Sequence, residues 1–232
     1  MEKVFLSIII PTLNEEKYLP KLLKSIKSQS FSDYEIIVAD AGSSDDTVKI
    51  AKDFGCKVIK GGTCSEGKNS GAKVSNGDYL CFFDADVVLP SNFLNHFMVK
   101  RPDIGSCSVR PLSSNLVDRI VFFVFNCYDF VTQFFYPHVA GGFFTFIKKG
   151  IHNKINGFDI TMNLAEDHDY VLRASKYGRV KFYWKIKIYV STRRQKSEGR
   201  GMYLKYIYCE IVRIFFGKER TKKIKYKYDY RK

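Results

Sequence analysis

Between residues 6 and 88 the chain alternates short β-rich runs with helix-forming stretches, and this alternation constrains its fold more than any other feature. Residues 6–10 are an apolar run stopped by Pro11. Asn14 and Glu15 then open a stretch in which Leu19, Leu22, Leu23 and Ile26 recur at helical spacing. A second run, 35–39, ends in Asp40, with Ser43 and Ser44 placed to cap a helix over 45–54 that Gly55 ends. Residues 57–59 form a short third strand, 61–67 a glycine-containing loop and 68–75 a short helix, before a further strand begins at Tyr79. Strands separated by helices in this way pair in parallel through right-handed crossovers. The expected class is α/β, a doubly wound and mostly parallel sheet flanked by helices.

The strand from Tyr79 runs into Asp84-Ala85-Asp86. At the carboxyl end of a strand in such a sheet, two carboxylates stand where ligands bind. They repel each other and lose hydration on burial, so a shared hard cation, Mg²⁺ or Mn²⁺, suits them, and the cation would in turn hold a phosphate. An Asp-x-Asp by itself more often belongs to a solvated turn. Two further polar clusters end strands at the same edge: Thr12 with Asn14 and Glu15, and Asp40 with Ser43 and Ser44. Capping explains one such cluster, whereas three converging on one edge describe a site. The first strand-to-helix turn, Pro-Thr-Leu-Asn-Glu-Glu, has no glycine, and no P-loop occurs anywhere, which disfavours dinucleotide dehydrogenases and P-loop ATPases.

Beyond Pro90 the alternation loosens. A helix is expected near 92–100, a strand over 106–110 and a mostly apolar helix over 116–135. Gly141 and Gly142 precede the strand-like Phe143-Phe144-Thr145-Phe146-Ile147, where missing side chains let a ligand approach the backbone. Glu166, Asp167 and Asp169 then crowd the first turn of a helix that ends at Gly178, an arrangement the helix dipole alone favours. His168 lies among them and is given no catalytic role.

Of the 38 basic and 24 acidic residues, the last 57 positions hold 19 and 4. So lopsided a charge points to an anionic partner: an acidic membrane surface, a phosphorylated substrate or nucleic acid. No nucleic-acid motif accompanies it, and carboxylates at the sheet edge would repel a polyanion, so nucleic acid is not expected. Residues 202–216 bring Leu204, Ile207, Tyr208, Ile211 and Phe215 to one helical face, followed by a tyrosine-interleaved basic tail. An interfacial anchor has this build, and so does a helix packed on a domain ahead of a solvated tail. The six cysteines fall at no metal-ligand spacing and are expected to be reduced and structural. Neither an export signal nor a spanning helix is recognised, and a cytoplasmic location, peripheral on the membrane, is expected.

Taken together, SIIIPTLNEE, VADAGSSDDT, EGKNSGAKVSNGDYLCFFDADV, AGGFFTFI and NGFDITMNLAEDHDYVLRASKYG resemble, in order and spacing, the family 2 glycosyltransferases, inverting enzymes of the GT-A fold. The resemblance implies a domain over 1–190, with a nucleotide-binding half (1–100) and an acceptor-binding half (101–190), and a basic loop, amphipathic helix and tail over 191–232. It implies a donor that is a nucleotide-diphosphate sugar, UDP- or GDP-linked. Pro11, Thr12 and Glu15 would line its base and ribose, Asp40 would accept a hydrogen bond from the base, and Lys68 stands where many members carry an arginine that reaches the nucleotide. Asp84 would serve ribose and metal, Asp86 would hold the cation on the diphosphate, and Arg193 and Arg194 would close over the phosphates. Gly141 and Gly142 would border the acceptor, a glycan or a lipid-linked molecule. Asp167 would be the general base, with Glu166 the second choice. A polyprenyl-phosphate sugar synthase is the neighbouring alternative, and a catalytically idle nucleotide-sugar or nucleic-acid binding module the alternative of another class.

Overall fold

The computed structural model describes residues 5–137, 142–162 and 164–222. Its first half follows the sequence pattern: β1 (Leu6–Thr12), α1 (Leu19–Lys27), β2 (Tyr34–Asp40), α2 (Thr47–Asp53), β3 (Lys57–Lys60), α3 (Cys64–Lys73) and β4 (Tyr79–Phe83). After the Asp84–Asp86 turn come β5 (Val87–Val88), α4 (Phe93–Lys100), β6 (Ile104–Pro111), α5 (Leu116–Thr132), β7 (Phe144–Lys148) and α6 (Lys149–Lys154). The chain then forms α7 (Glu166–Ala174), β8 (Val180–Val190), α8 (Arg193–Ser197) and α9 (Met202–Thr221).

The strands form one sheet in the order β3-β2-β1-β4-β7-β6-β8-β5. The half from β3 to β4 is parallel, as the crossovers require. Beyond β4 the sheet is mixed: β7 is antiparallel to β4 and to β6, β6 and β8 are parallel, and β5 is antiparallel to β8. Register places Thr12 opposite Asp40, and Asp84 follows the last residue of β4 one strand away, so the three polar clusters share one edge.

Both faces of the sheet are covered. On one, Leu19, Leu22, Leu23 and Ile26 of α1 are completely buried together with Phe93 and Phe97 of α4. Each such side chain contributes on the order of 1.5–3 kcal/mol by leaving water. On the other face, Ile9, Leu80 and Phe82 pack against Tyr170 and Val171 of α7. Helix α3 approaches unusually closely: a Cβ on Gly71 would lie 2.4 Å from Ile9 Cγ2, and one on Gly67 3.0 Å from Pro11 Cβ.

Three local expectations are corrected. Helix α1 begins at Leu19 and not at Asn14, because Asn14 adopts a left-handed backbone (φ 56°). The amides of Asn14 and Glu15 are used instead on Ser43 Oγ and Thr47 Oγ1. Ser43 and Ser44 do not cap α2, whose N-cap is Asp46; they bond to Asp40 and Asn14. Helix α3 starts at Cys64, ahead of the expected residue 68, on a capping box in which Thr63 and Glu66 satisfy each other's amides.

Candidate active site

The site is a cavity of about 470 Å³ at the carboxyl edge of the sheet. Pro11 and Thr12 at the end of β1 with Glu15 just after it, Asp84 and Asp86 after β4, Gly142, Glu166 and Asp167 at the start of α7, and Arg193 and Arg194 of α8 all line it. Five segments far apart in sequence therefore bring nearly all the predicted residues to one space. Gly141 lies outside the described residues.

Asp40 stands beside the cavity with its acceptor positions filled. One oxygen takes the amides of Gly42 and Ser43, the other the hydroxyls of Thr12 and Ser43. It shapes the loop after β2, and any base reaching it would compete with those bonds.

Arg193 joins two of the clusters. Its guanidinium donates to both oxygens of Glu15 (2.7 and 2.5 Å), lies 3.1 Å from Asp86 Oδ2, and covers the Tyr18 ring at 4.4 Å. Burial pushes Glu15 above the usual carboxylate range, and Arg193 opposes that shift. The planar fork explains the choice of arginine, since it meets one carboxylate with two parallel bonds and still reaches the second.

Lys68, in contrast, is buried on the acids of α7. Its Nζ is 2.6 Å from Asp167 Oδ1, at 1% and 10% side-chain exposure. Burial pulls its pKa down, yet the carboxylates of Asp167, Asp84 and Glu166 hold it well above the ordinary value, so it stays charged. Gly142 completes the cradle: it has φ +64°, and a Cβ there would fall 1.9 Å from Asp167 Oδ2. Glu166 is pushed up to about 8 by burial and then by the charge of Asp167. Asp84 rises to about 7, chiefly by burial, with Lys68 opposing and Asp86 and Asp167 adding.

A carboxylate raised in this way gains from a nearby cation. Asp84 and Asp86 together present the all-oxygen donors that Mg²⁺ or Mn²⁺ prefers. Among the described residues no group of three or more His, Cys, Asp or Glu could hold a metal ion. The rest of a coordination shell would therefore come from water and phosphate, which is how Mg²⁺ commonly binds.

The cavity extends past the acids between α5 and α9, where Phe122, Phe125, Tyr128, Tyr203 and Tyr206 line it. These residues escape motif reasoning, although the apolar length of residues 116–135 signals them. His168, given no role from the sequence, sits 3.1 Å from Glu210 of α9.

A mixed sheet that gathers carboxylates, a buried lysine and two arginines near its carboxyl edge is the arrangement of a GT-A-type fold. Residues 7–101 match the family described as Glycosyl transferase family 2. The chain is 35% identical to the GalNAc(5)-diNAcBac-PP-undecaprenol beta-1,3-glucosyltransferase of Campylobacter jejuni subsp. jejuni, over 45% of this chain and 38% of that one. It is 37% identical to a dolichyl N-acetyl-alpha-D-glucosaminyl phosphate 3-beta-D-2,3-diacetamido-2,3-dideoxy-beta-D-glucuronosyltransferase of Methanococcus voltae, over 40% and 32%. These matches span well under half the length of either relative. Among solved structures, the mannosyltransferase PcManGT of Pyrobaculum calidifontis, in complex with GDP-Man and Mn²⁺, superposes with a TM-score of 0.69 at 16% identity, covering 90% of this chain and 64% of that one. S. aureus TarS with UDP-GlcNAc gives 0.65 at 19%, covering 82% and 59%. At these identities the likeness concerns the fold.

Proposed function

We propose that the protein transfers a sugar, with inversion, from a nucleotide-diphosphate sugar to a lipid-linked or glycan acceptor. One observation carries the reading: Asp84 and Asp86 share a single cavity with Glu166, Asp167 and the α8 arginines, and Lys68 is buried against Asp167. The donors named with the solved neighbours, GDP-Man and UDP-GlcNAc, and the lipid-linked substrates in the names of the relatives support it.

In this reading Pro11, Thr12 and Glu15 hold base and ribose, and Asp84 and Asp86 would hold Mg²⁺ or Mn²⁺ against the diphosphate. The cation supplies charge stabilisation to the departing diphosphate. Arg193 leaves Glu15 and Asp86 when the donor enters, and turns with Arg194 onto phosphate oxygens, which match its fork. Asp167 takes the acceptor's proton as the new bond forms to the anomeric carbon. Lys68 and Gly142 fix its carboxylate, and Glu166, hydrogen-bonded into the same pair, is the second candidate for base.

The test is thermal stability with UDP- and GDP-sugars, with and without Mn²⁺. Ligand held only by the folded state adds about 2.7 kcal/mol at a hundredfold excess over its dissociation constant. A Mn²⁺-dependent rise with one nucleotide series is expected. No rise with any member would overturn the reading.

A further inference from the structure

Helices α5 and α9 run side by side and in the same direction. Asp118 meets Arg200 and Tyr203, Tyr128 donates to Glu210 at 2.8 Å, and Arg213 donates to Tyr136 at 3.0 Å. These bonds occupy the inner faces of the pair. The outer faces are apolar and exposed: Phe123, Phe134 and Phe135 are 48–73% exposed on and just after α5, and Leu204, Ile211 and Phe215 are 46–76% exposed on α9. An uncovered apolar face of this extent marks an interaction surface.

We infer that this α5–α9 face docks on an anionic lipid bilayer, and that the aromatic arm of the cavity between the helices receives the apolar chain of a membrane-borne acceptor. Charge complementarity commits the face to lipid. Exposed Arg119, Lys205 and Arg220 flank it, with Glu219 the exposed acid on α9, and the last 57 residues carry 19 basic against 4 acidic side chains. Among the described residues no helix is long and apolar enough to cross a membrane, so the contact is one of lying on the surface. The arm lined by Phe122, Phe125 and Tyr206 is continuous with the cavity that holds Asp167, so a chain lodged there would present its polar head to the acids. Both parts of α9 hold α7: Glu210 meets His168, and Lys218, just past the helix break at Gly217, meets Asp169 at 2.9 Å. The docking helix and the helix bearing the acids thus form one packed unit. The inference rests on the sugar-transfer reading for the identity of the polar head, while the docking surface stands on the two helices alone.

The test is co-sedimentation of the full chain with phosphatidylglycerol vesicles and with phosphatidylcholine vesicles, for the wild type and the Ile211→Glu/Phe215→Glu double variant. Both side chains point outward, so the variant keeps its fold, as checked by its melting temperature. The wild type should sediment with phosphatidylglycerol and far less with phosphatidylcholine, and the variant should lose about tenfold or more of that partition. Wild type that stays in solution with both vesicles overturns the inference, as does a variant that binds as well as wild type. A wild-type dimer that the variant splits, without vesicle binding, assigns the face to a second copy and overturns it too. Nucleotide-induced stabilisation, recorded on the same samples, separates the outcomes: its presence without vesicle binding removes only the docking surface. Vesicle binding without it upholds the surface and removes the transfer reading.

Discussion

Lys68 and Asp167 are 99 positions apart in sequence, and their side chains meet at 2.6 Å inside the protein. Breaking such a buried pair leaves one charge uncompensated, so Lys68→Met should destabilise the fold by about 3–5 kcal/mol. The double variant Lys68→Met/Asp167→Leu should cost less than the sum of the two single changes. Denaturant unfolding of the four proteins measures both statements.

The raised carboxylates predict how stability changes with pH. Glu166 and Asp84 keep their protons in the folded chain to about 8 and about 7, whereas the unfolded chain releases them near the usual carboxylate range. Between those limits the native state binds more protons, so stability without metal is full below the ordinary range and falls as pH rises toward 8. Glu166→Gln should flatten the upper part of this decline, and urea titrations from pH 4.5 to 8.5 read it directly.

Arg193 competes with any cation for Asp86. Arg193→Gln removes that competitor and should tighten Mn²⁺ binding in the absence of nucleotide several-fold, while weakening the affinity for the donor diphosphate. Calorimetric titration of Mn²⁺ and of nucleotide into both proteins checks the opposite signs.

Gly142 has no room for a side chain. A methyl group at this position would clash with the Asp167 carboxylate on a backbone already at φ +64°. Gly142→Ala should cost about 1–3 kcal/mol of stability and lower kcat more than tenfold, with a smaller change in donor affinity. Unfolding curves and steady-state kinetics separate the two effects.

The parallel half of the sheet and the residues of its carboxyl edge were legible in the sequence because both rest on local signals, alternation and polar residues at strand ends. The mixed half was less so, since β5 has two residues and pairs only through β8, about a hundred positions on. The turn before α1 departs from the spacing-based expectation because Asn14 takes a left-handed backbone that spacing does not reveal. The capping box at Thr63 and Glu66 is itself a local signal, a Thr-x-x-Glu at the start of α3. On α9 the residues grouped by spacing over 204–215 share an exposed face, while Cys209, Val212 and Arg213 are buried on the opposite side and Arg213 reaches Tyr136, beyond the end of α5. The pairings that define the site, Arg193 with Glu15 and Lys68 with Asp167, join residues 178 and 99 positions apart, and no local pattern encodes them.

In the proposed reaction Asp86 serves the cation and diphosphate, and Asp167 serves the acceptor. The most direct measurement is Mn²⁺-dependent binding of the donor nucleotide sugar, by calorimetry, to Asp86→Ala and Asp167→Asn, alongside turnover of each. Asp86→Ala should lose the Mn²⁺-dependent part of binding, and Asp167→Asn should bind donor within a few-fold of wild type but no longer transfer sugar. Unchanged Mn²⁺-dependent binding in Asp86→Ala, or full transfer by Asp167→Asn, would contradict these separate roles.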